Sequence, residues 1–172
     1  MRGFVRMSEK LTRSDVQKIE EEIEHRKLVV RKEAIEAVKE ARAHGDLSEN
    51  FEFYAAKLAK NQNESRIAYL ENMLKHAIII DDTSAEDEVG LNKRVKIVFE
   101  DDGETEEYKI VTSIRGDSRR RLISPESPLG SALMGHHVDD RVEICAGTGS
   151  YFVRILTITN VGEEATDTLK QY

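Results

Sequence analysis

Breakers are scarce in the first half of this chain. Between Gly3 and Gly90 there is no proline and a single glycine, Gly45. With so little to end it, the stretch reads as helix with its one turn at Gly45. Cysteine is equally scarce, occurring only at Cys145. That rules out an internal disulfide and fits a reducing compartment, so a cytoplasmic location is expected. Cys145 stands in an apolar run that reads as strand, and is expected to be a small buried hydrophobe rather than a nucleophile. No run approaches the ~18 apolar residues of a membrane span, and the start MRGFVR is too short and too charged for a secretory leader. No membrane partner is expected. Met7, followed at once by a helix-like opening, reads as an alternative start. A net basic face is missing too: 26 Lys and Arg against 33 Asp and Glu give a formal charge of -7. Such a protein does not coat nucleic acid by itself, although it can work beside nucleic acid through a protein host.

What is present divides into two grammars. From Thr12 to about Ala43 the residues Val16, Ile19, Ile23, Val30, Ala34, Ala37 and Ala41 recur at threes, fours and one seven, between charged residues. This spacing predicts a long amphipathic helix with a narrow apolar stripe. A second stripe follows Gly45, through Leu47, Phe51, Tyr54, Leu58, Ile67, Leu70, Leu74 and Ala77. Its polar interruption, Asn61–Glu64, marks either a shift of register or a place of loose contact. Neither helix can bury its own stripe, and the connection is short, so the two are expected to pair as an antiparallel α-helical coiled-coil hairpin spanning residues 7–80. A helix of about 30 residues makes a rod of roughly 45 Å, with residues 44–50 at its far end.

Beyond Ile80 the acidic, turn-rich stretch 81–90 reads as a linker. Runs of β-branched and aromatic residues then predict strands at 93–99, 107–114, 119–124, 141–145 and 150–159, with a hairpin turn at 100–103 and a short helical segment at 129–135. The second half, 91–160, is therefore a small, mostly antiparallel sheet domain, and the fold class is α+β. Residues 161–172 form a tail. His25, His76, His136 and His137 show no metal-ligand spacing, and His44 reads as an exposed helix-end histidine favoured by the helix dipole.

Asp46-Leu47-Ser48-Glu49 is a D-x-x-E pattern where the second helix begins. Its bland reading is a capping box, with Asp46 as N-cap and Glu49 at N3. Its functional reading rests on position: two carboxylates at the end of a rod can reach into another molecule. Hard oxygen ligands suit Mg²⁺, but two are too few for a dedicated cage, so they would complete a metal site that a partner leaves half built.

EARAHGDLSENFEFYAAK at 40–57 closely resembles the tip of the bacterial Gre transcript-cleavage factors, a family of transcription elongation factors, and its GreA-like members above all. LTRSDVQKIEEEIEHRK, EYKIV and SPLGSALMGHHVDDRVEI (127–144) resemble the coiled-coil opening, a strand motif and the C-terminal signature of the same family. The likeness runs from about residue 10 to 159, and the tail looks like an extension of the usual end. It differs from the pattern of many members at Phe51, Phe53 and Asp139.

The resemblance implies a coiled coil followed by an FKBP-like C-terminal domain. It also implies an accessory factor rather than an enzyme, expected to be a monomer, whose partners are bacterial RNA polymerase and the nascent RNA 3′ end. The hairpin would enter the polymerase's secondary channel, and Asp46 and Glu49 would help hold a second Mg²⁺, present only in the complex, so that backtracked RNA is cut. Gly45, Ser48 and Asn50 would support the tip. Arg42, Lys57 and Lys60 would form a basic strip facing RNA or polymerase, and Ser127, Pro128 and Leu129 would lie near the docking surface. The bland readings are a solvated charged face for the three cations and a fixed loop feeding a short helix for Pro128. The alternatives in function are a Gre-like inhibitor occupying the same channel without stimulating cleavage, and a plain coiled-coil adaptor.

Overall fold

The computed structural model describes residues 8–45, 50–164 and 167–171. The chain forms two compact units, one built on Arg13–Ile78 and the other on Lys10–Thr12 with the residues from Ile79 onward. The elements in order are β1 (Lys10–Leu11), α1 (Arg13–His25), a π-helical turn (Arg26–Val30), α2 (Arg31–Ala43), α3 (Phe51–His76), β2 (Ile78–Ile79), β3 (Lys93–Phe99), β4 (Thr105–Ile110), β5 (Leu122–Ile123), α4 (Pro128–Leu133), β6 (Arg141–Ala146) and β7 (Gly149–Asn160). The described residues contain no helix long and apolar enough to cross a membrane.

The first unit is a helical hairpin. Contacts between Ala41 and Asn50, Arg26 and Asn63, and Glu22 and Arg66 run in opposite chain directions, which makes the pair antiparallel. Ile19, Ile23 and Ala41 on one side and Ile67, Leu70 and Met73 on the other are buried in the seam. The predicted first helix is continuous but not uniformly α. At the π turn the Arg31 N–H reaches back five residues to the Arg26 carbonyl, which inserts one residue into the winding. Beyond it Ala34, Val38 and Ala41 face the partner while Ala37 is exposed, correcting the predicted stripe at that position.

The second stripe is corrected more extensively. Phe51, Tyr54 and Leu58 face solvent, with Phe51 85% exposed, and Phe53, Ala56 and Lys60 turn toward the seam instead. Asn63 is buried within the seam rather than breaking it. There it receives a hydrogen bond from Arg26 Nη1 (3.0 Å), while Glu64 takes two from Arg31 (2.7 and 2.8 Å) and Glu22 two from Arg66 (3.0 and 3.3 Å). The Asn61–Glu64 stretch is thus a polar layer facing the π turn.

The second unit is a five-stranded sheet in the order β5-β4-β3-β7-β6. All neighbours are antiparallel except the two-residue β4–β5 pair, which is parallel. One face carries the core: Val95, Ile97, Ile110, Val142, Ile144, Val153 and Ile155 alternate inward, and Leu133 of α4 packs with them. The register between β3 and β7 shifts after Lys96, leaving Leu156 as the extra residue of a bulge. The stretch 81–90 is tied to this unit, because Val89 lies in the core and the buried Lys93 ammonium donates to the carbonyls of Ala85 and Glu88.

Three details differ from the sequence expectation. β4 ends at Ile110, and residues 113–115 and 118–120 form 3₁₀ turns, so the predicted strand at 119–124 shrinks to β5. Arg121 adopts a left-handed backbone (φ 56°), which strand pairing does not accommodate. Cys145 is exposed, because the two-residue period of β6 sends Val142 and Ile144 inward and Cys145 out. The predicted turn at 100–103 is present, with Gly103 at φ 75° and the Phe99 N–H bonded to the Glu104 carbonyl at 2.9 Å.

Candidate functional site

α2 ends at Ala43 and α3 begins at Phe51. Asp46, Leu47, Ser48 and Glu49, between them in sequence, lie outside the described residues. Gly45 takes φ 120°, a backbone that L side chains rarely adopt, and nothing lies where a side chain would stand, so backbone freedom rather than space requires the glycine. On the other side Asn50 has an extended backbone, and its Oδ1 accepts the Phe53 N–H at 3.0 Å.

Asn50 is therefore the N-cap of α3. α3 thus starts at Phe51 on the Asn50 cap, while Asp46 and Glu49, the residues of the capping-box reading, lie outside the described residues. Asp and Asn are nearly equal as caps, so the sequence alone does not break the tie. Asn50 also donates its Nδ2 hydrogen to the Ala41 carbonyl at 2.6 Å. One side chain thus binds the last turn of α2 to the first turn of α3 and clamps the two ends of the connection.

Around this clamp the surface is mixed. Arg42 is exposed and stands over the Phe53 ring at 5.6 Å, a cation–π contact, and Phe53 meets Tyr54 edge-on at 5.7 Å. His44, exposed as expected, approaches the Glu52 carboxylate at 3.5 Å. Lys57 is exposed and Lys60 half-buried, about two and three helical turns along α3 from Asn50. The structure thus brings Arg42, Gly45 and Asn50 together and sets Lys57 and Lys60 progressively back. The sequence reading missed the Arg42–Phe53 stack, whose signal lies only in the pairing of the two helices. Among the described residues no cluster of three or more His, Cys, Asp or Glu side chains stands ready to hold a metal.

In the second unit Ser127 caps α4. Its Oγ accepts the Gly130 N–H at 3.1 Å and donates to the Ser124 carbonyl at 2.7 Å, and Pro128 occupies the first helical turn. A side chain at Gly130 would meet the Ser124 carbonyl oxygen at 2.0 Å, so this loop requires glycine there. Leu129 packs against the core. Asp139 takes φ 71°, the left-handed conformation that glycine favours, and Asp140 accepts hydrogen bonds from the His137 N–H (2.8 Å) and the His136 ring (3.2 Å).

Comparison with known proteins places both units. The family described as "Transcription elongation factor, N-terminal" matches residues 9–79, and "Transcription elongation factor, GreA/GreB, C-term" matches 84–160. The transcription elongation factor GreA of Bacillus velezensis is 42% identical over 149 residues, covering 87% of this chain and 95% of the relative. That of Thermoanaerobacter pseudethanolicus is 44% identical over 149 residues, covering 86% and 95%. Among solved structures, GreA factor homolog 1 (Gfh1) of Thermus thermophilus aligns with 88% of this chain and 99% of its own, at a TM-score of 0.41 and 26% identity. A GreA/GreB factor from Nitrosomonas europaea aligns with 90% and 99%, at a TM-score of 0.39 and 20% identity. With both family matches spanning the two units and relatives above 40% identity over most of the length, the chain belongs to the GreA/GreB family of transcription elongation factors.

Proposed function

We propose that this chain binds bacterial RNA polymerase, inserts its hairpin tip through the secondary channel, and stimulates the polymerase's own cleavage of backtracked RNA. Asp46 and Glu49 are the residues that carry the activity. The observation that supports this reading is the cap: the N-cap of α3 is supplied by Asn50, a residue other than the two acids.

The donor set fits a shared cation. Two carboxylates fall well short of the roughly six oxygens that Mg²⁺ takes, and the described residues add no ready cluster, so a partner must complete the shell. When bound, Mg²⁺ supplies Lewis-acid activation of a water and charge stabilisation at the leaving oxygen. Asp46 is assigned as the ligand on this chain, and Glu49 as sharing the ion or accepting a hydrogen bond that orients the water. Ser48 offers a hydroxyl to water or RNA. Asn50, engaged toward both helices, holds the connection in place. Arg42, Lys57 and Lys60 meet RNA phosphates electrostatically. The start of α4, Ser127 to Leu129, is assigned to docking on polymerase. The chain cuts nothing alone.

The test uses backtracked elongation complexes of bacterial RNA polymerase with Mg²⁺. The unaltered chain is expected to shorten the transcript from its 3′ end, and to leave free RNA intact when polymerase is omitted. Asp46→Asn and Glu49→Gln should still bind polymerase but lose stimulation by roughly tenfold or more. Full activity of Asp46→Asn would reduce the tip to an adaptor. Stalling without cleavage by the unaltered chain would identify an inhibitor.

A further inference from the structure

The residues beyond Asn160 lie outside the stretch that matches the family, yet they fold back onto the sheet domain. Arg94 grips Glu164 at 2.8 and 3.0 Å, the buried Lys109 ion-pairs with the buried Asp167, and Arg115 reaches Glu163 at 3.4 Å. The Lys170 N–H donates to the Ile114 carbonyl at 2.6 Å, and Leu169 is buried. Between this returning tail and the loop from Arg115 to Arg120 lies a notch of about 390 Å³, within the usual range for small-ligand sites.

The notch has an unusual charge for this molecule. Arg115, Arg119, Arg120 and Lys170 line it, and Asp117 is the one acid among the described lining residues. Asp117 already accepts the Arg119 backbone N–H at 3.0 Å. The side chains of Arg119 and Arg120 are exposed and pair with no acid among the described residues. In a chain of net charge -7, a concave surface with this excess of cations is a local attractor for anions.

We propose that this notch binds a phosphate-bearing small ligand. The forked guanidinium groups of Arg119 and Arg120 match phosphate oxygens in two-point contacts, and Thr168 and Gln171 add neutral polar groups on the tail side. A small ligand suits the site better than a nucleic-acid strand. Single strands are held in grooves furnished with stacking aromatics, and among the described residues no aromatic side chain lines this notch. The site depends on the tail, so a chain ending at Asn160 would not form it.

Isothermal titration calorimetry of the full chain with inorganic pyrophosphate at low salt tests this. Saturable one-site binding is expected, and the doubly substituted Arg119→Gln, Arg120→Gln chain should bind at least about tenfold more weakly with an unchanged melting temperature. A charge-matched control, Lys32→Gln with Lys75→Gln on the hairpin, should bind as the parent does. Failure of the parent to bind, or equal weakening in the control, overturns the proposal. So does Arg119- and Arg120-dependent capture of a single-stranded RNA oligonucleotide that pyrophosphate does not displace, which would make the surface an RNA contact.

Discussion

Asn63 and Arg26 exchange hydrogen bonds across the coiled coil: Arg26 Nη1 donates to Asn63 Oδ1 at 3.0 Å, and Asn63 Nδ2 donates to the Arg26 carbonyl at 3.3 Å. The same carbonyl receives the Arg31 N–H that defines the π turn. A buried polar side chain thus sits opposite the one irregular turn of the first helix, where it can satisfy both a side chain and a backbone group. Such a residue specifies register within an otherwise apolar seam.

Asn63→Ala removes both bonds and leaves Arg26 without its partner across the seam. The expected cost is about 1–3 kcal/mol, the usual price of an unsatisfied buried group. Thermal unfolding followed by helical circular dichroism measures it. A change within experimental error would mean that the apolar contacts alone set the register.

The neighbouring Glu22 makes hairpin stability depend on acid. Burial pushes its carboxyl up, but hydrogen bonds from Arg66 and Arg26, with their charges, outweigh burial and hold its pKa below the ordinary 4.5. A depressed folded pKa means that the stabilisation is complete above the unfolded value and is lost as pH falls through the folded one. Glu22→Gln should therefore be less stable than the parent at neutral pH, with the gap narrowing below about pH 4.5. Urea unfolding at several pH values reads this out, and a pH-independent gap would assign the effect to packing.

Much of this architecture is legible locally. The change from helical to strand periodicity, the lone Gly45 and the turn before Glu104 all report on nearest neighbours along the chain. The phase of the second stripe is different. Phe51-Tyr54-Leu58 and Phe53-Ala56-Lys60 both satisfy helical spacing, and the first set is the more apolar, yet the second faces the seam. That choice follows from pairing with a helix rotated by its π turn, a tertiary cause with no local signature. The tail is similar. Its acids look like a solvated end until Lys109 is seen on the face of β4 opposite the core residue Ile110, where a charged side chain needs an acid to cover it. At the tip, the sequence marks Asp46 and Glu49 as unusual by position, but the choice of cap between Asp46 and Asn50 rests on geometry.

The Lys109–Asp167 pair offers a sharp test of the tail. Both side chains are almost fully buried. Burial raises the Asp167 pKa, but the Lys109 hydrogen bond and the Glu164 backbone N–H outweigh it and keep the carboxylate ionised. Asp167→Asn leaves the buried ammonium with Glu164, at 3.3 Å, as its remaining acid and should cost about 3 kcal/mol, whereas Lys109→Met combined with Asp167→Leu should recover most of that loss. Chemical denaturation of the three chains decides it. If the double substitution were as unstable as the single one, the tail would depend on this charge pair for more than compensation of Lys109.

Asn50 and Asp46 separate structure from chemistry at the tip. Asn50→Ala deletes the cap on Phe53 and the tie to Ala41 together, so the hairpin should lose about 1–2 kcal/mol and its connection should be less constrained. Asp46→Asn touches neither bond, and its melting temperature should match the parent's. In transcript cleavage, Asn50→Asp retains the oxygen that caps α3 and should preserve more activity than Asn50→Ala, because it still positions the acids. Asp46→Asn should fail at every factor concentration, since saturating the polymerase with a correctly folded tip does not restore a missing carboxylate. Asn50→Ala, by contrast, should recover activity as concentration rises if its defect is one of pre-organisation. Thermal melts combined with cleavage rates across a concentration series distinguish the two, and identical profiles for Asp46→Asn and Asn50→Ala would merge the acid and the clamp into one structural role.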